Sequence, residues 1–129
     1  MNTGPRFKRH YTREEVRRML PQVELWLNRL DLANAAFKKA AVPLDGFLSD
    51  GCDVGGQLAS RYLKSFLDLA SSLREFASRE ILLRDLQRGL IDFPSFAAGR
   101  EVFLSWKRGE PDVEHWQDLD AGSTGPITV

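Results

Sequence analysis

Asp92, Arg100, Glu101, Glu110, His115, Asp118 and Asp120 crowd into one stretch of the chain, interleaved with Trp106 and Trp116. Carboxylates beside an imidazole can bind a divalent cation or move protons, and tryptophans near them can wall a ligand. The same residues also have a purely structural use. Asp92 can bond turn amides, Arg100 can pair with a carboxylate, Glu110 can cap a short helix, and both tryptophans can be core. No HExxH, GxSxG, Walker or dinucleotide glycine pattern accompanies them, so no catalytic residue is assigned. They are candidates for ligand binding, carried by a region dense in glycine, proline and tryptophan from Arg84 to Trp116.

Something must hold that region, and the preceding sequence supplies two amphipathic helices. Thr12-Arg13-Glu14-Glu15 is a capping box, with Tyr11 and Val16 placed as its staple. From there Val16, Leu20, Val23, Leu27, Leu30, Asn34 and Phe37 follow a heptad seam. The first helix is predicted over 12–40, bent at Pro21 and ended by Pro43. Gly46, Gly51, Gly55 and Gly56 loosen the connection, and Asp53 can cap a second helix over 54–82. Leu58, Tyr62, Phe66, Leu69, Leu73 and Phe76 would line its buried face. Comparable lengths favour an antiparallel hairpin.

After Leu82 the period shifts toward two. Leu82–Leu86 and Leu90–Phe93 can pair around Gly89, Pro94 would end that strand, and Glu101–Lys107 would be a third. A β-meander is thus expected over 83–107, with 6–11 as a possible fourth strand. Pro111 suggests a short helical turn over 110–121. The expected fold is α+β, mainly α, in a single domain over 1–129: a long two-helix hairpin, a small antiparallel sheet and that C-terminal turn.

Composition narrows the function. Eighteen basic and eighteen acidic side chains cancel, and 43% hydrophobic content suits a globular chain. Charge is uneven: residues 1–18 hold six basic side chains, whereas 109–129 hold five acidic ones and no Lys or Arg. The simplest consequence is attraction between the two ends. A nucleic-acid adaptor using Arg6, Lys8, Arg9, Arg13, Arg17 and Arg18 ranks last. One cysteine, Cys52, allows no internal disulfide, and no apolar run reaches the roughly 20 residues a bilayer requires. The expected setting is the cytoplasm, away from membranes.

Taken together, Tyr11-Thr12 with Leu20-Pro21, Arg84-Asp85-Leu86 with Gly89-Leu90-Ile91-Asp92-Phe93-Pro94, Gly99-Arg100-Glu101-Val102 with Leu104 and Trp106, then Gly109-Glu110-Pro111 and Trp116, resemble a prokaryotic family. That family is known only as domain of unknown function 2203. The resemblance implies a small single-domain cytosolic protein with no assigned activity. Where the family usually has a cysteine and a histidine, this chain has Ser105 and Gln117, and the arginine of the final glycine turn has no counterpart in Gly125-Pro126-Ile127. His115 lies two positions before that histidine site. With those ligand types missing, neither a cofactor nor a transition metal is expected.

The expected role is a non-enzymatic, self-associating interaction module. A two-helix hairpin buries one stripe per helix, which leaves Leu25, Trp26, Leu32, Leu63 and Leu67 for a homodimer interface. The alternative is a ligand- or metal-binding protein, or an enzyme, using the region of Asp92, Glu110 and Trp116.

Overall fold

The computed structural model describes residues 4–49, 56–119 and 127–128, with backbone alone at 42–49 and 127–128. The chain divides into two compact units, Leu25–Glu75 and Met1–Glu24 with Phe76–Val129. Its elements are α1 (Arg13–Ser49), α2 (Gly56–Ala77), β1 (Leu82–Asp85), β2 (Leu90–Ala97), β3 (Arg100–Lys107), β4 (His115–Asp118) and β5 (Ile127–Thr128). The strands form one antiparallel sheet in sequence order. Among the described residues, no helix is long and apolar enough to cross a membrane.

α1 begins as its sequence dictates. Glu15 N donates to Thr12 Oγ1 at 3.1 Å, and Thr12 N donates to the Glu15 carboxylate at 3.0 Å. Hydrogen bonding from the Thr12 amide, and then from the Thr12 side chain, holds the Glu15 carboxyl below its usual range. Tyr11, Val16, Leu20, Val23, Leu27 and Leu30 are all buried, so the heptad seam is the packing face. Pro43 does not end the helix, which continues to Ser49. A proline removes one intrahelical hydrogen bond, and the long ladder that precedes it can outlast that loss.

α2 runs from Gly56, and the proposed cap at Asp53 lies outside the described residues. It stops at Ala77 rather than 82. Ile81 N donates to Phe76 O at 3.0 Å, and Glu80 N to Ala77 O at 3.1 Å, with Glu80 at φ 58°. This is a Schellman stop, locked by burial of both Phe76 and Ile81. Its left-handed residue is a glutamate instead of the usual glycine, so nothing local announces it.

In the sheet, Gly89 adopts φ +67° and closes the β1–β2 turn as expected. A Cβ there would lie 2.5 Å from Cβ of Arg108, so the space also demands glycine. Ala98 and Gly99, both with positive φ, make a two-residue turn between β2 and β3. Pro94 does not end β2. It pairs with Phe103, and its carbonyl accepts Tyr11 N at 2.7 Å on the side away from β3. The missing amide faces that same side, where β1 pairing has already stopped at Asp92, so no ladder bond is lost.

Two further expectations fail. Among the described residues of 110–121, which end at 119, there is no helical turn. Glu110 N donates to Lys107 O, the Glu110 carboxylate takes Lys107 N, and the chain then enters β4, paired with β3 from Val102 to Ser105. Long-range pairing overrides the weak local signal of Pro111. Residues 6–11 do not join the sheet either. The amides of residues 6–9 are captured by side chains: Arg6 N and Phe7 N donate to Glu101, and Lys8 N and Arg9 N to Glu80.

Candidate functional site

Strand register assembles the polar site. Asp92 on β2 stands opposite Ser105 on β3, and Ser105 opposite His115 on β4. Directly paired residues share a sheet face, and Gln117, two positions past His115, shares it too. Ser105 Oγ donates to Asp92 Oδ1 at 2.8 Å, Gln117 Nε2 to Asp92 Oδ2 at 3.2 Å, and Arg84 Nε lies 3.3 Å from Oδ2. Asp92 is only 2% exposed. Burial pushes its carboxyl above the usual range, outweighing the opposing pull of Ser105, Arg84 and Gln117. Gln117 Oε1 is buried with no hydrogen-bond partner among the described residues.

A pocket of about 210 Å³ opens beside this row, and Asp92, Trp106, Glu110 and His115 all line it, with Arg84 and Ser105. Trp106 is itself core, 1% exposed, and its Nε1 donates to Glu110 O at 2.9 Å. His115 Nδ1 lies 3.7 Å from Glu110 Oε2, too long for a hydrogen bond. The pocket therefore offers a buried carboxylate, a hydroxyl, an imidazole and a second carboxylate in one space. Those groups can hold a small polar molecule or exchange protons with it.

The other candidates separate from that pocket. Trp116 lines a different cavity of about 350 Å³ with His10, Thr12, Phe96, Val102 and Leu104. Arg100 pairs with Asp118 at 3.0 Å on the surface. Glu101 holds the N-terminal segment, taking His10 Nε2 at 2.8 Å besides the two amides; burial raises its carboxyl, but these bonds win and hold it low. Asp120 lies outside the described residues. Glu110 ties a strand turn rather than capping a helix, and Asp92 bonds side chains instead of turn amides. Among the described residues no three His, Cys, Asp or Glu are grouped to hold a metal ion.

Arg84, Ser105, Lys107 and Gln117 belong to this neighbourhood and were not among the candidates. Ser105 and Gln117 stood out in the sequence only as departures from a resemblance, yet both close on Asp92. The alternation of β3 placed Ser105 beside Trp106 on the opposite face; what was missing was the β4 pairing. The basic N-terminal residues meet the acidic C-terminal stretch as charge suggested. Arg17 donates to Asp112 at 2.8 Å and Arg13 Nε to Val113 O, whereas Arg9 stays local, 4.7 Å from the Tyr11 ring centre. The Arg17 bond holds the Asp112 carboxyl below its usual range.

In the helical unit, Phe37 of α1 packs on Tyr62 and Phe66 of α2, with ring centres 5.3 and 6.1 Å apart. Residues 29–36 of α1 share a groove with 68–72 of α2, and 36–40 share one with 58–65, so the helices run antiparallel. Leu25, Leu32, Leu63 and Leu67 are exposed, but Trp26 is 6% exposed and belongs to the chain's own core. The buried stripe of α2 also differs from expectation. Ser65 and Ser72 are buried, whereas Phe66 and Leu73 are 48% and 42% exposed. Ser72 Oγ satisfies itself on Asp68 O at 3.0 Å.

No curated protein and no solved structure matches this chain. A model of a family described as "Uncharacterized conserved protein (DUF2203)" matches residues 9–126.

Proposed function

The chain belongs to the DUF2203 family of uncharacterized conserved proteins, and from that premise we propose that it is a non-enzymatic interaction module that self-associates through its helices. The observation that carries this reading is the inverted burial on α2, with serines inside and Leu63, Phe66, Leu67 and Leu73 outside. Fully burying one such side chain is worth about 1.5–3 kcal/mol, and each of the four is still about half exposed, so a partner that covers them gains roughly half of that at each. Leu25 and Leu32, seven residues apart on α1, form a smaller exposed pair. Trp26, only 6% exposed, contributes almost nothing to it. The proposed setting is cytosolic, and the proposed partner is a second copy.

Light scattering during size-exclusion chromatography tests this at micromolar concentration. The native chain is expected to be a dimer, Phe66→Glu a monomer of unchanged helicity, and Leu32→Glu still a dimer. A folded, monomeric native chain would end the proposal. Dimers lost in Leu32→Glu and kept in Phe66→Glu would move the interface to α1.

The pocket beside Asp92 favours a second reading, a small-molecule site. Its support is that Asp92, Ser105, Glu110 and His115 line one space. Acetate, phosphate, guanidinium and ammonium, added singly, should reveal the preferred charge through shifts of the His115 ring resonances. Each shift should vanish in Asp92→Asn if Asp92 anchors the molecule. Four silent titrations would remove this reading.

A further inference from the structure

We propose that α2 packs antiparallel against α2 of a second copy, about a twofold axis midway between Phe66 and Ala70. This rests on the self-association reading above and specifies its geometry. The stripe involved is Ala59, Leu63, Phe66, Ala70, Leu73 and Ala77, with steps of four, three, four, three and four residues. At 3.6 residues per turn these six lie within an arc of roughly 80°. Ala59, Leu63, Phe66, Leu73 and Ala77 are exposed and Ala70 is half-buried. The spacing reads the same in both directions, as a twofold pairing of one helix with itself requires.

Side-chain size decides the direction. Antiparallel pairing sets Ala59 against Ala77, Leu63 against Leu73, and Phe66 against Ala70 of the second copy. Each large ring then meets a small residue, and both alanine ends close together. Parallel pairing would set Phe66 on Phe66 and Ala70 on Ala70, giving an overfilled layer beside an empty one. Close-packed interfaces tolerate neither. Charge agrees. Lys64 and Asp68 pair with each other at 3.0 Å and, with Gln57, Ser71 and Glu75, fall on the other side of the helix. Arg74 borders the stripe, so dimerisation buries no charge at its centre.

The exposed parts of Leu63, Phe66, Leu67 and Leu73 represent about 350 Å² per chain, taking roughly 150–200 Å² for a full side chain of this size. Across two chains that is about half of the ~1,200 Å² at the lower limit of stable interfaces. The alanines and the stems of bordering side chains must supply the rest.

Cross-linking separates the arrangements. Ala59→Cys and Ala77→Cys chains, both with Cys52→Ser, are treated with a short bis-maleimide, alone and mixed. In the antiparallel dimer, like-numbered ends lie about 27 Å apart, out of the linker's reach. A covalent dimer is therefore expected only in the mixture. Dimers formed by either variant alone, as readily as in the mixture, would overturn the antiparallel geometry and leave self-association standing. A native chain that dimerises by light scattering while no combination cross-links would place the interface elsewhere and overturn it too. A monomeric native chain would overturn the self-association reading itself.

Discussion

Trp106→Ala is expected to cost about 3–5 kcal/mol of folding stability, the range for emptying a large aromatic site in a core. Trp106 is among the largest fully buried side chains, at 1% exposure, in the middle of the β-sheet unit. Its neighbours across the ladder, Ile91 and Leu104 two positions away, are buried as well and cannot fill the space without moving strands. The loss is a large fraction of the 5–15 kcal/mol a domain of this size normally has. Trp106→Phe separates packing from hydrogen bonding. It keeps most of the ring but removes the Nε1 bond to Glu110 O, which should cost about 1 kcal/mol plus a smaller cavity term. Urea unfolding of the three chains checks the order. A Trp106→Ala midpoint within error of the native chain would show that this ring is not part of a close-packed core.

The second large effect is expected at Asp92. Asp92→Ala removes the acceptor for both Ser105 Oγ and Gln117 Nε2, which are buried and would be left without partners. Each orphaned group costs about 1–3 kcal/mol, partly offset because a charge no longer has to be desolvated. A net loss of about 3 kcal/mol follows. Arg84 is less affected, since about a third of its side chain already reaches solvent. Asp92→Asn keeps the shape and should cost less. Its pH dependence carries the sharper information. The folded carboxyl is raised above its unfolded value near 3.8, so the fold binds the proton more tightly than the unfolded chain. The resulting stabilisation is fully present below the unfolded value and is lost as pH rises through the folded one. Native stability measured relative to Asp92→Asn should thus improve as pH is lowered from neutral toward 4. A difference that stays flat, or moves the other way, would contradict the raised carboxyl.

Glu101, Asp112 and Glu15 pull the opposite way, because their carboxyls are held low in the fold and lose their stabilising bonds as acid protonates them. The absolute acid profile of the native chain therefore mixes both signs. The comparison with Asp92→Asn isolates one.

What the sequence by itself determined were features closed by three or four neighbouring residues or by one strict period. The Thr12–Glu15 box starts α1, and its heptad positions from Val16 to Leu30 are all buried, with Trp26 buried beside them. Gly89 is needed where the β1–β2 turn requires positive φ, and the alternation through Trp106 is that of β3. The tertiary structure decided the rest, each time by choosing between local options of nearly equal energy. α2 carries two possible seams one residue apart. Its packing against α1 took the one with Ser65 and Ser72, leaving the bulkier Phe66 and Leu73 outside. Glu80 pays the left-handed strain of a helix stop because Phe76 and Ile81 are buried around it. Pro94 survives inside β2 only because its amide side faces Tyr11 instead of another strand. The four residues of β4 have too short a pattern to show a period, yet pairing with β3 brings His115 and Gln117 to the face of Asp92. Contacts between residues 13 and 25 positions apart form that site, and such distant pairings leave no trace in the spacing of either segment alone, because chain-closure and burial energies belong to the whole fold.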